Sequence, residues 1–422
     1  MKILIDNSGY ELRNFGDIAM LVATVERIKS LAPEAIIYVF TKEPNRLKDI
    51  CPDVQAVDTK GRNDWLQTWS LFGGLHRLCP EGLKESLKKF EFSVKSNFLS
   101  TTLFIIGLRL KFRKHDSQAV KDFISLLKSV DIVMATGGGF VNDEFSVHAQ
   151  NVLKTIYMAQ KINKRTAMVG QGLGPINDLD LISIAKKVFP KLELVGLRES
   201  TYSYEIAERL GARKEDIIVT GDDAVLLAYR NRKTFNGNNI GFNLRVAKYS
   251  NLDRESVAKI KKIVTLLSEK EGGEIVPIAI SIHEGDSDIH SLEGLLDTKI
   301  KHTYPDSLNS VIDIIGECKL VITGSYHAGV FALSQGIPVI GIAASDYYRQ
   351  KFEGLRNQFK SDSCYIVDIE HSLDFVTFEK IIEKLIDNSQ QNYSSVLTRA
   401  VEQINSSDQV VKRLMQLVKN ED

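Results

Sequence analysis

The chain has 422 residues, 43% of them hydrophobic, so it can bury a large core and is long enough to form two domains. Its 54 lysines and arginines balance its 54 aspartates and glutamates, whereas a nucleic-acid-binding protein normally carries a basic excess. The 4 cysteines are widely spaced, which predicts neither a zinc site nor a disulfide framework. We therefore expect no metal, no nucleic-acid partner and a cytoplasmic location, without a signal peptide or a membrane-spanning helix.

Apolar runs of strand length alternate with helical patterns through the first half of the chain. A helical pattern over 17–31 follows the first run, KILID. The predicted strands lie at 2–6, 35–40, 131–136, 165–172, 192–197 and 216–221. Runs that are apolar on both faces are typical of a parallel sheet covered by helices. Residues 1–230 are thus predicted to form a Rossmann-like domain.

Residues 60–118 interrupt this alternation. They contain both tryptophans and an apolar stretch at 98–112 that is too short to span a membrane and carries Arg109 and Lys111. The basic residues around the stretch are Lys88, Lys89, Lys111, Arg113 and Lys114. We expect a helical insertion that packs on the first domain. The alternative is an interfacial segment, with 98–112 making peripheral contact with a membrane or a partner.

A polar, glycine-containing segment near residue 231 is typical of a linker, and the alternation then restarts. The predicted strands of this half are NIGFNLR, EIVPIAISI, CKLVITG, IPVIGIA and CYIVDI, with helical patterns at 252–269 and 305–316. A second Rossmann-like domain is therefore expected over 238–375. Helices over 376–422 follow it and could cross back to the first domain. Ligands of such α/β proteins bind in the crevice at the carboxyl ends of the strands, here between the domains.

Two turns after strands of the first half carry candidate binding residues. In NSGYELRNFGDIAM, Gly16 allows a tight turn, Asp17 can cap the next helix, and Asn14 adds a polar group at the crevice. In ATGGGFVNDEF, three glycines leave backbone N–H groups exposed, and we expect a helix to begin nearby. These glycines are Gly137, Gly138 and Gly139. Such a turn can bind an anion, although the spacing is neither a Walker loop nor GxGxxG.

Arg198 follows the apolar run 192–197, where a guanidinium that faces the crevice could bind a carboxylate or a phosphate. It could equally form a structural ion pair with Glu199 or Asp222. Asp222 could serve as a base or brace Arg198. Gly172, in GQGLGPI, allows close approach of a ligand or another backbone segment.

His327 stands at the junction of strand CKLVITG and a predicted helix, facing the crevice. The partial positive charge of a helix N-terminus favours the neutral imidazole, which can exchange protons near neutral pH or help to hold an anion. The alternative is a capping or packing histidine. A second polar group lies within SIHEGDSDIH and runs from His283 to His290. It lacks the histidine spacing of a metal site, so we expect a polar loop that lines the pocket.

Six motifs in this order resemble the polysaccharide pyruvyl transferase family. They are Asn-x-Gly-Asp at 14–17, the GGG turn, GxGxGP at 170–175, Arg-Glu-Ser at 198–200, Gly-Asp-Asp-Ala at 221–224, and His-Ala at 327–328 followed by Gly-Ile-Pro-Val at 336–339. The resemblance runs from about residue 14 to about 354. It implies a fold similar to the two-domain GT-B glycosyltransferases. The implied reaction moves the pyruvyl group of phosphoenolpyruvate onto two hydroxyls of one sugar, as a cyclic ketal, with no cofactor.

In this resemblance the family's histidine corresponds to His327 and its strand-end arginine to Arg198. Members often carry a second arginine two residues before the histidine, where this chain has Ser325 in Ser325-Tyr326-His327. Tyr326, Arg349 or Lys351 could take its place in donor binding. Because this arginine is missing, a donor other than phosphoenolpyruvate stays open.

The donor's chemistry suggests a general acid for its methylene carbon, for which His327 is the candidate. A carboxylate must accept the proton of the sugar hydroxyl, and Asp17 is the first choice and Asp143 the second. The acceptor is expected to be a sugar or a lipid-linked oligosaccharide, at the inner face of the membrane if the segment 98–112 makes contact there. Two alternatives stay open: a GT-B glycosyltransferase or epimerase that uses a nucleotide sugar, and a non-catalytic protein of polysaccharide assembly.

Overall fold

The computed structural model describes residues 1–73, 80–112, 117–234, 237–244, 273–284, 286–289, 306–343, 345–368 and 375–419, together with a few isolated positions between 258 and 292. The helix predicted over 252–269 lies outside these residues except at single positions. Arg113, Lys114 and His290 also lie outside them.

Eight parallel strands form the sheet of the first domain, in the order β3–β2–β1–β4–β6–β7–β8, with β5 paired to β6. The strands are β1 Lys2–Asp6, β2 Ile36–Thr41, β3 Val54–Asp58, β4 Ile132–Ala135, β5 Gly138–Val141, β6 Arg165–Leu173, β7 Leu194–Leu197 and β8 Ile217–Val219. The central strands β4 and β7 are buried along their whole length. Their continuous apolar runs therefore pack against helices on both faces of the sheet.

Helices alternate with these strands along the chain. They are α1 Phe15–Leu31, α2 Pro44–Ile50, α3 Lys60–Asn63, α4 Glu81–Asn97, α5 Leu99–Phe112, α6 Gln118–Ser129, α7 Ser146–Lys161, α8 Leu179–Val188, α9 Ser203–Arg209 and α10 Val225–Arg230. Because the crossover helices pack on the faces of a parallel sheet, the carboxyl ends of its strands all lie at one end of the sheet.

The described part of the region 60–118 is mostly helical: α3 continues into a π-helical turn over Asp64–Thr68, and α4 and α5 follow after the non-helical residues 69–73. Trp65 is fully buried, and its carbonyl oxygen accepts a hydrogen bond from Nζ of Lys95 at 2.6 Å. Arg62 reaches back to the end of β1, where its Nη1 lies 2.9 Å from Oδ2 of Asp6. Both side chains of this ion pair are buried, so the pair ties the region firmly to the first sheet.

The second domain holds five parallel strands in the order β10–β9–β13–β14–β15, and a short hairpin of β11 and β12. The strands are β9 Asn239–Asn243, β10 Ile275–Pro277, β11 Ile282–His283, β12 Asp286–Ser287, β13 Cys318–Thr323, β14 Val339–Ala343 and β15 Cys364–Asp368. The helices are α11 Leu308–Gly316, α12 Tyr326–Ser334, α13 Asp346–Phe359, α14 Phe375–Asp387 and α15 Ser389–Lys419. Two parallel α/β sheets confirm the predicted fold class.

The domains meet along the start of α1 and along the last helix. The backbone N–H of Phe15 donates to the carbonyl oxygen of Ile280 at 2.9 Å. The 31-residue helix α15 packs against both domains; Oδ1 of its Asp408 lies 2.7 Å from Nε of Arg27 on α1. One hydrophobic cluster runs through both domains and α15, including Met20, Phe331 and Leu414. The strand ends of the two sheets are thereby held face to face.

Candidate active site

Arg198 lies directly after β7, and its side chain is buried. Its Cζ lies 4.3 Å from the ring centre of Tyr326, which belongs to the second domain, and its Nη1 lies 3.7 Å from Oδ2 of Asp222. Burial by itself lowers the pKa of Arg198, but the surrounding groups together outweigh that effect and raise the pKa above its ordinary value; they are Tyr326, Asp222, Tyr347 and Glu199. The predicted partner Glu199 instead accepts hydrogen bonds from the backbone N–H groups of Tyr202 and Ser203.

His327 lies in the first turn of α12, because β13 ends at Thr323 and the chain turns directly into that helix. Its Nε2 lies 3.8 Å from Oδ2 of Asp222, the same oxygen that Arg198 approaches. The side chain is only 12% exposed. One carboxylate oxygen of the first domain thus lies near a guanidinium from its own domain and an imidazole from the other.

Asp222 is the centre of this group. Its Oδ1 accepts a hydrogen bond from the backbone N–H of Ala224 at 2.9 Å. Burial raises the pKa of Asp222 to about 6, with Arg198 opposing the shift. Burial raises the pKa of the Tyr326 phenol as well, so it stays protonated. Asp222 is therefore the acidic group of this site whose charge changes near neutral pH.

Glycines make room for the two key side chains of the site. Gly16 is buried within α1, where a Cβ would overlap the ring of His327, so the predicted turn at this position is wrong. A Cβ on Gly172 would overlap the guanidinium of Arg198. Gly172 thus allows the Arg198 side chain to pack against the backbone.

The sequence predicted that a helix begins near the glycine run, but the run leads into a strand instead. Gly138 and Gly139 belong to β5, and the next helix, α7, begins only at Ser146. Gly137 is buried, and a Cβ there would overlap Sδ of Met20. Neighbouring side chains leave no room for a Cβ in this run. At Gly139 the neighbouring side chains are those of Arg198 and Lys351.

Asn14 and Asp17 exchange their expected roles. The side-chain oxygen of Asn14 accepts hydrogen bonds from the N–H groups of Gly16 at 3.0 Å and Asp17 at 3.2 Å, so Asn14 is the N-cap of α1. Asp17, predicted as the cap, is a first-turn residue of α1 instead. It stands next to Gly16, which contacts the His327 ring, and its charge contributes to raising the pKa of Asp222.

Asp143 is a loop-fixing residue in this structure. Its carboxylate accepts hydrogen bonds from the backbone N–H groups of Asn177 and Asp178, at 2.8 to 2.9 Å, and from the Asn177 side chain. These bonds occupy both oxygens and join the loop after β5 to the segment before α8. The role of Asp143 as a proton acceptor stays a prediction, and these bonds favour Asp17 for that role.

His283 lies at the domain junction. Its Nδ1 is 3.2 Å from Oε2 of Glu11, and Nη1 of Arg13 forms an ion pair with the neighbouring Glu284 at 2.9 Å. His283 thus contacts the first domain, and its expected role in the binding pocket stays a prediction. The buried Asp288 of the same group accepts hydrogen bonds from the N–H groups of Ile280 and Ser281. Among the residues that the structure describes, no cluster could hold a metal ion.

Ser325 is the buried N-cap of α12, and its backbone N–H donates to Oγ1 of Thr323 at 2.8 Å. Of the three candidates to replace the missing arginine, Arg349 points elsewhere, pairing with Asp346 at 2.9 Å and Asp368 at 3.2 Å. Tyr326 stacks on Arg198 and does not replace a cation.

Lys351 is the candidate that lies beside Arg198. Both side chains line one small cavity with Gly139, Gly172 and Tyr347. The Lys351 Nζ lies 4.0 Å from the ring centre of Tyr347, whose hydroxyl donates to the carbonyl oxygen of Gly139 at 3.3 Å. Sequence reasoning missed Tyr347, because it comes from α13 and only tertiary packing brings it to β5.

Solved structures with the same two-domain architecture match almost the whole chain. A putative UDP-N-acetylglucosamine 2-epimerase from Listeria monocytogenes has a TM-score of 0.59 at 13% identity, covering 100% of this chain and 96% of that one. UDP-GlcNAc 2-epimerase from Neisseria meningitidis, bound to UDP-GlcNAc, has a TM-score of 0.56 at 11% identity, covering 99% and 100%. The glycotransferase of kitacinnamycin has a TM-score of 0.53 at 8% identity, covering 98% of each chain. These likenesses show the fold alone, which is the GT-B fold of epimerases and glycosyltransferases.

The fold and the charged group between the domains give the architecture of the site, and the sequence gives the family. The family model "Polysaccharide pyruvyl transferase" matches residues 14–346, a span that includes both Arg198 and His327. This chain therefore belongs to the polysaccharide pyruvyl transferase family and is a transferase. The predicted resemblance is confirmed, and family membership argues against the non-catalytic alternative.

Proposed function

We propose that this enzyme transfers the pyruvyl group of phosphoenolpyruvate onto two hydroxyls of one sugar, in a polysaccharide or its precursor, as a cyclic ketal with release of phosphate. The observation that carries the proposal is the approach of Arg198 and His327, from different domains, to one oxygen of Asp222. Such a group offers both an anion-binding cation and a proton donor at a single point between the domains.

Donor binding needs positive charge for a phosphate and a carboxylate. Arg198 supplies a guanidinium that can form two parallel hydrogen bonds, and Lys351 supplies a second cation on the same cavity. A Cβ on Gly139 would lie 3.4 Å from Cε of Lys351 and would overlap Arg198, so the two cations share one glycine surface. Lys351 thereby serves in place of the arginine that Ser325 replaces.

The chemistry begins with a proton from His327 to the methylene carbon of the donor, which becomes the methyl group. The first sugar hydroxyl bonds to the central carbon and gives its proton to Asp17. The bond between that carbon and the phosphate oxygen breaks, and phosphate leaves with the electron pair. The second hydroxyl closes the ring and returns a proton to His327, while the proton on Asp17 passes to the solvent. An ionised Asp222 stabilises the imidazolium that starts the cycle.

The test is incubation of the purified protein with phosphoenolpyruvate and a panel of sugars, free and linked to nucleotides or lipid carriers. We expect phosphate release that depends on an acceptor, and a product heavier by one pyruvate less one water. In deuterium oxide the ketal methyl should carry one deuterium, because the solvent-exchanged proton of His327 is transferred to carbon. A heavy-oxygen label in the bridging position should leave with the phosphate.

UDP-GlcNAc without phosphoenolpyruvate is the matched control, since the fold is shared with UDP-GlcNAc 2-epimerases. Release of UDP or epimerisation of UDP-GlcNAc, with no consumption of phosphoenolpyruvate for any acceptor, would overturn the proposal in favour of the nucleotide-sugar alternative.

A further inference from the structure

The helices α4 and α5 expose an unusual amount of apolar surface. Among the described residues, twelve large hydrophobic side chains are exposed, and half of them lie between 83 and 108. They are Leu83, Phe90, Phe98, Phe104, Ile105 and Leu108. Contiguous exposed apolar surface of this kind marks a site of interaction with a partner or a membrane.

On α5 these side chains form one stripe. Phe104, Ile105 and Leu108 follow the spacing of a single helix face, with Phe98 just before the helix. Phe104 is 67% exposed and Phe98 is 61% exposed. The 14 residues of α5 span about 21 Å, well below the ~30 Å hydrocarbon core of a bilayer. In the described part of the chain, no helix is long and apolar enough to cross a membrane.

Positive charge accompanies the stripe. Residues 81–112 contain six basic and three acidic residues, in a chain whose formal net charge is zero. Lys88, which is 65% exposed, Lys89 and Lys111 lie on the surface. Lys88 and Lys89 pair with Glu85 at 3.5 Å and Asp180 at 2.7 Å, whereas Lys95 and Arg109 are turned inward. The three exposed lysines complement an anionic surface, whereas a two-fold contact with a second copy would bring like charges together.

The stripe is held rigidly on the first domain. Arg109 of α5 donates to the carbonyl oxygens of Leu71 at 3.1 Å and Ser70 at 2.6 Å. On α4, Lys95 donates to the carbonyl oxygen of the buried Trp65. Because α4 and α5 are fastened on their inner sides, their apolar outer side has a fixed orientation relative to the domain.

We propose that α4 and α5 dock on the surface of an anionic lipid bilayer, with Phe98, Phe104, Ile105 and Leu108 buried at the interface and lysines contacting lipid headgroups. The docking is independent of the proposed reaction and needs no substrate. Together with the proposed reaction it would hold the interdomain cleft near a lipid-linked sugar acceptor.

The experiment is sedimentation of the full chain with vesicles of phosphatidylcholine alone and of phosphatidylcholine with phosphatidylglycerol. We expect binding to the anionic vesicles that weakens as salt is raised. Phe104→Glu should weaken it about tenfold or more, and Lys88→Ala and Lys111→Ala about fivefold each. Val376→Glu and Lys412→Ala, on α14 and α15, are the matched controls and should bind as the wild type does.

Circular dichroism and the thermal midpoint check that each variant folds. Equal binding by Phe104→Glu and the wild type would overturn the proposal, as would a failure of the wild type to sediment with anionic vesicles. A dimer in solution that Phe104→Glu converts to a monomer, without vesicle binding, would assign the stripe to a second copy. None of these outcomes bears on pyruvyl transfer, which the acceptors that carry no lipid test separately.

Discussion

The ring of His327 lies against the backbone of Gly16, in the place where any larger residue would put its Cβ. A Cβ built on Gly16 would approach the imidazole closer than the 3.0 Å that real Cβ atoms keep. Gly16 belongs to the first domain and His327 to the second, so this contact sets the depth at which the imidazole enters the cleft. It leaves Nε2 of His327 facing Asp222.

Gly16→Ala should therefore displace the His327 ring and lower kcat by about tenfold or more, since a small misplacement of a catalytic group has large effects. The measurement is steady-state phosphate release with a sugar acceptor. Gly107→Ala is the matched control, because a Cβ at this helical glycine meets nothing within 4 Å. It should raise stability by about 0.5–1 kcal/mol and leave kcat unchanged. A fully active Gly16→Ala enzyme would mean that the contact does not position the ring.

His327→Ala should reduce kcat by about 10²–10⁴-fold, the range for loss of a general acid. His327→Gln keeps a polar side chain of similar size but cannot transfer the proton, so it should be impaired to the same degree. Deuterium uptake into the ketal methyl, followed by NMR, separates loss of protonation from loss of binding. If both variants keep the wild-type rate of methyl protonation, another group is the acid.

The positions of Arg198 and His327 could be predicted because strand ends in parallel sheets point into the crevice, and their strands are plain apolar runs. The predicted strand at 2–6 agrees with β1, whereas β3 was missed because all five of its residues are partly or fully exposed. The role of Gly16 could not be predicted, because the sequence of α1 does not indicate that His327 of the other domain packs against it.

The N-cap of α1 is a second feature that the sequence alone does not determine. Asn and Asp are both good N-caps, so the choice between Asn14 and Asp17 depends on where the helix begins, which pattern alone leaves uncertain by a few residues. Lys351 was one of three candidates for the missing cation. Only the packing of α13 against β5 separates it from Arg349, which pairs with Asp346.

Lys351→Ala should raise the KM for phosphoenolpyruvate by about 10–100-fold, the cost of losing a charge-assisted hydrogen bond, with a smaller effect on kcat. Arg349→Ala is the matched control two residues away, because its ion pairs with Asp346 and Asp368 lie apart from the cavity. It should leave the KM near the wild-type value. The opposite ranking of the two variants would assign the second cation to Arg349.

The pH profile follows from Asp222. Its pKa is raised from 3.8 to about 6 by burial, so the carboxyl is neutral below about pH 6 and charged above it. Because the charged form stabilises the His327 imidazolium, kcat/KM for the donor should fall as pH decreases through about 6, a limb that reports the free enzyme. Asp222→Asn should be slower and should lose this limb. If kcat/KM of Asp222→Asn still falls below about pH 6, the titrating group is not Asp222.

The buried pair of Arg62 and Asp6 predicts a stability effect. Arg62→Met leaves the Asp6 carboxylate buried without its cation and should lower the free energy of unfolding by about 3–5 kcal/mol. Lys60→Ala removes an exposed ion pair with Asp64 and should cost less than about 1 kcal/mol. Denaturant titration of both variants compares them. The double variant Asp6→Asn/Arg62→Met should recover part of the loss, and equal effects of the two single variants would contradict the assignment.

The central claim is that Arg198 and His327 act on one donor molecule between the domains. The most direct measurement is a crystal structure of the enzyme soaked with phosphoenolpyruvate in the absence of an acceptor. We predict an anionic group of the donor within hydrogen-bonding distance of the Arg198 guanidinium, with its methylene carbon facing the imidazole of His327. Donor bound away from these two side chains, or a cleft that takes up UDP-GlcNAc and excludes phosphoenolpyruvate, would contradict it.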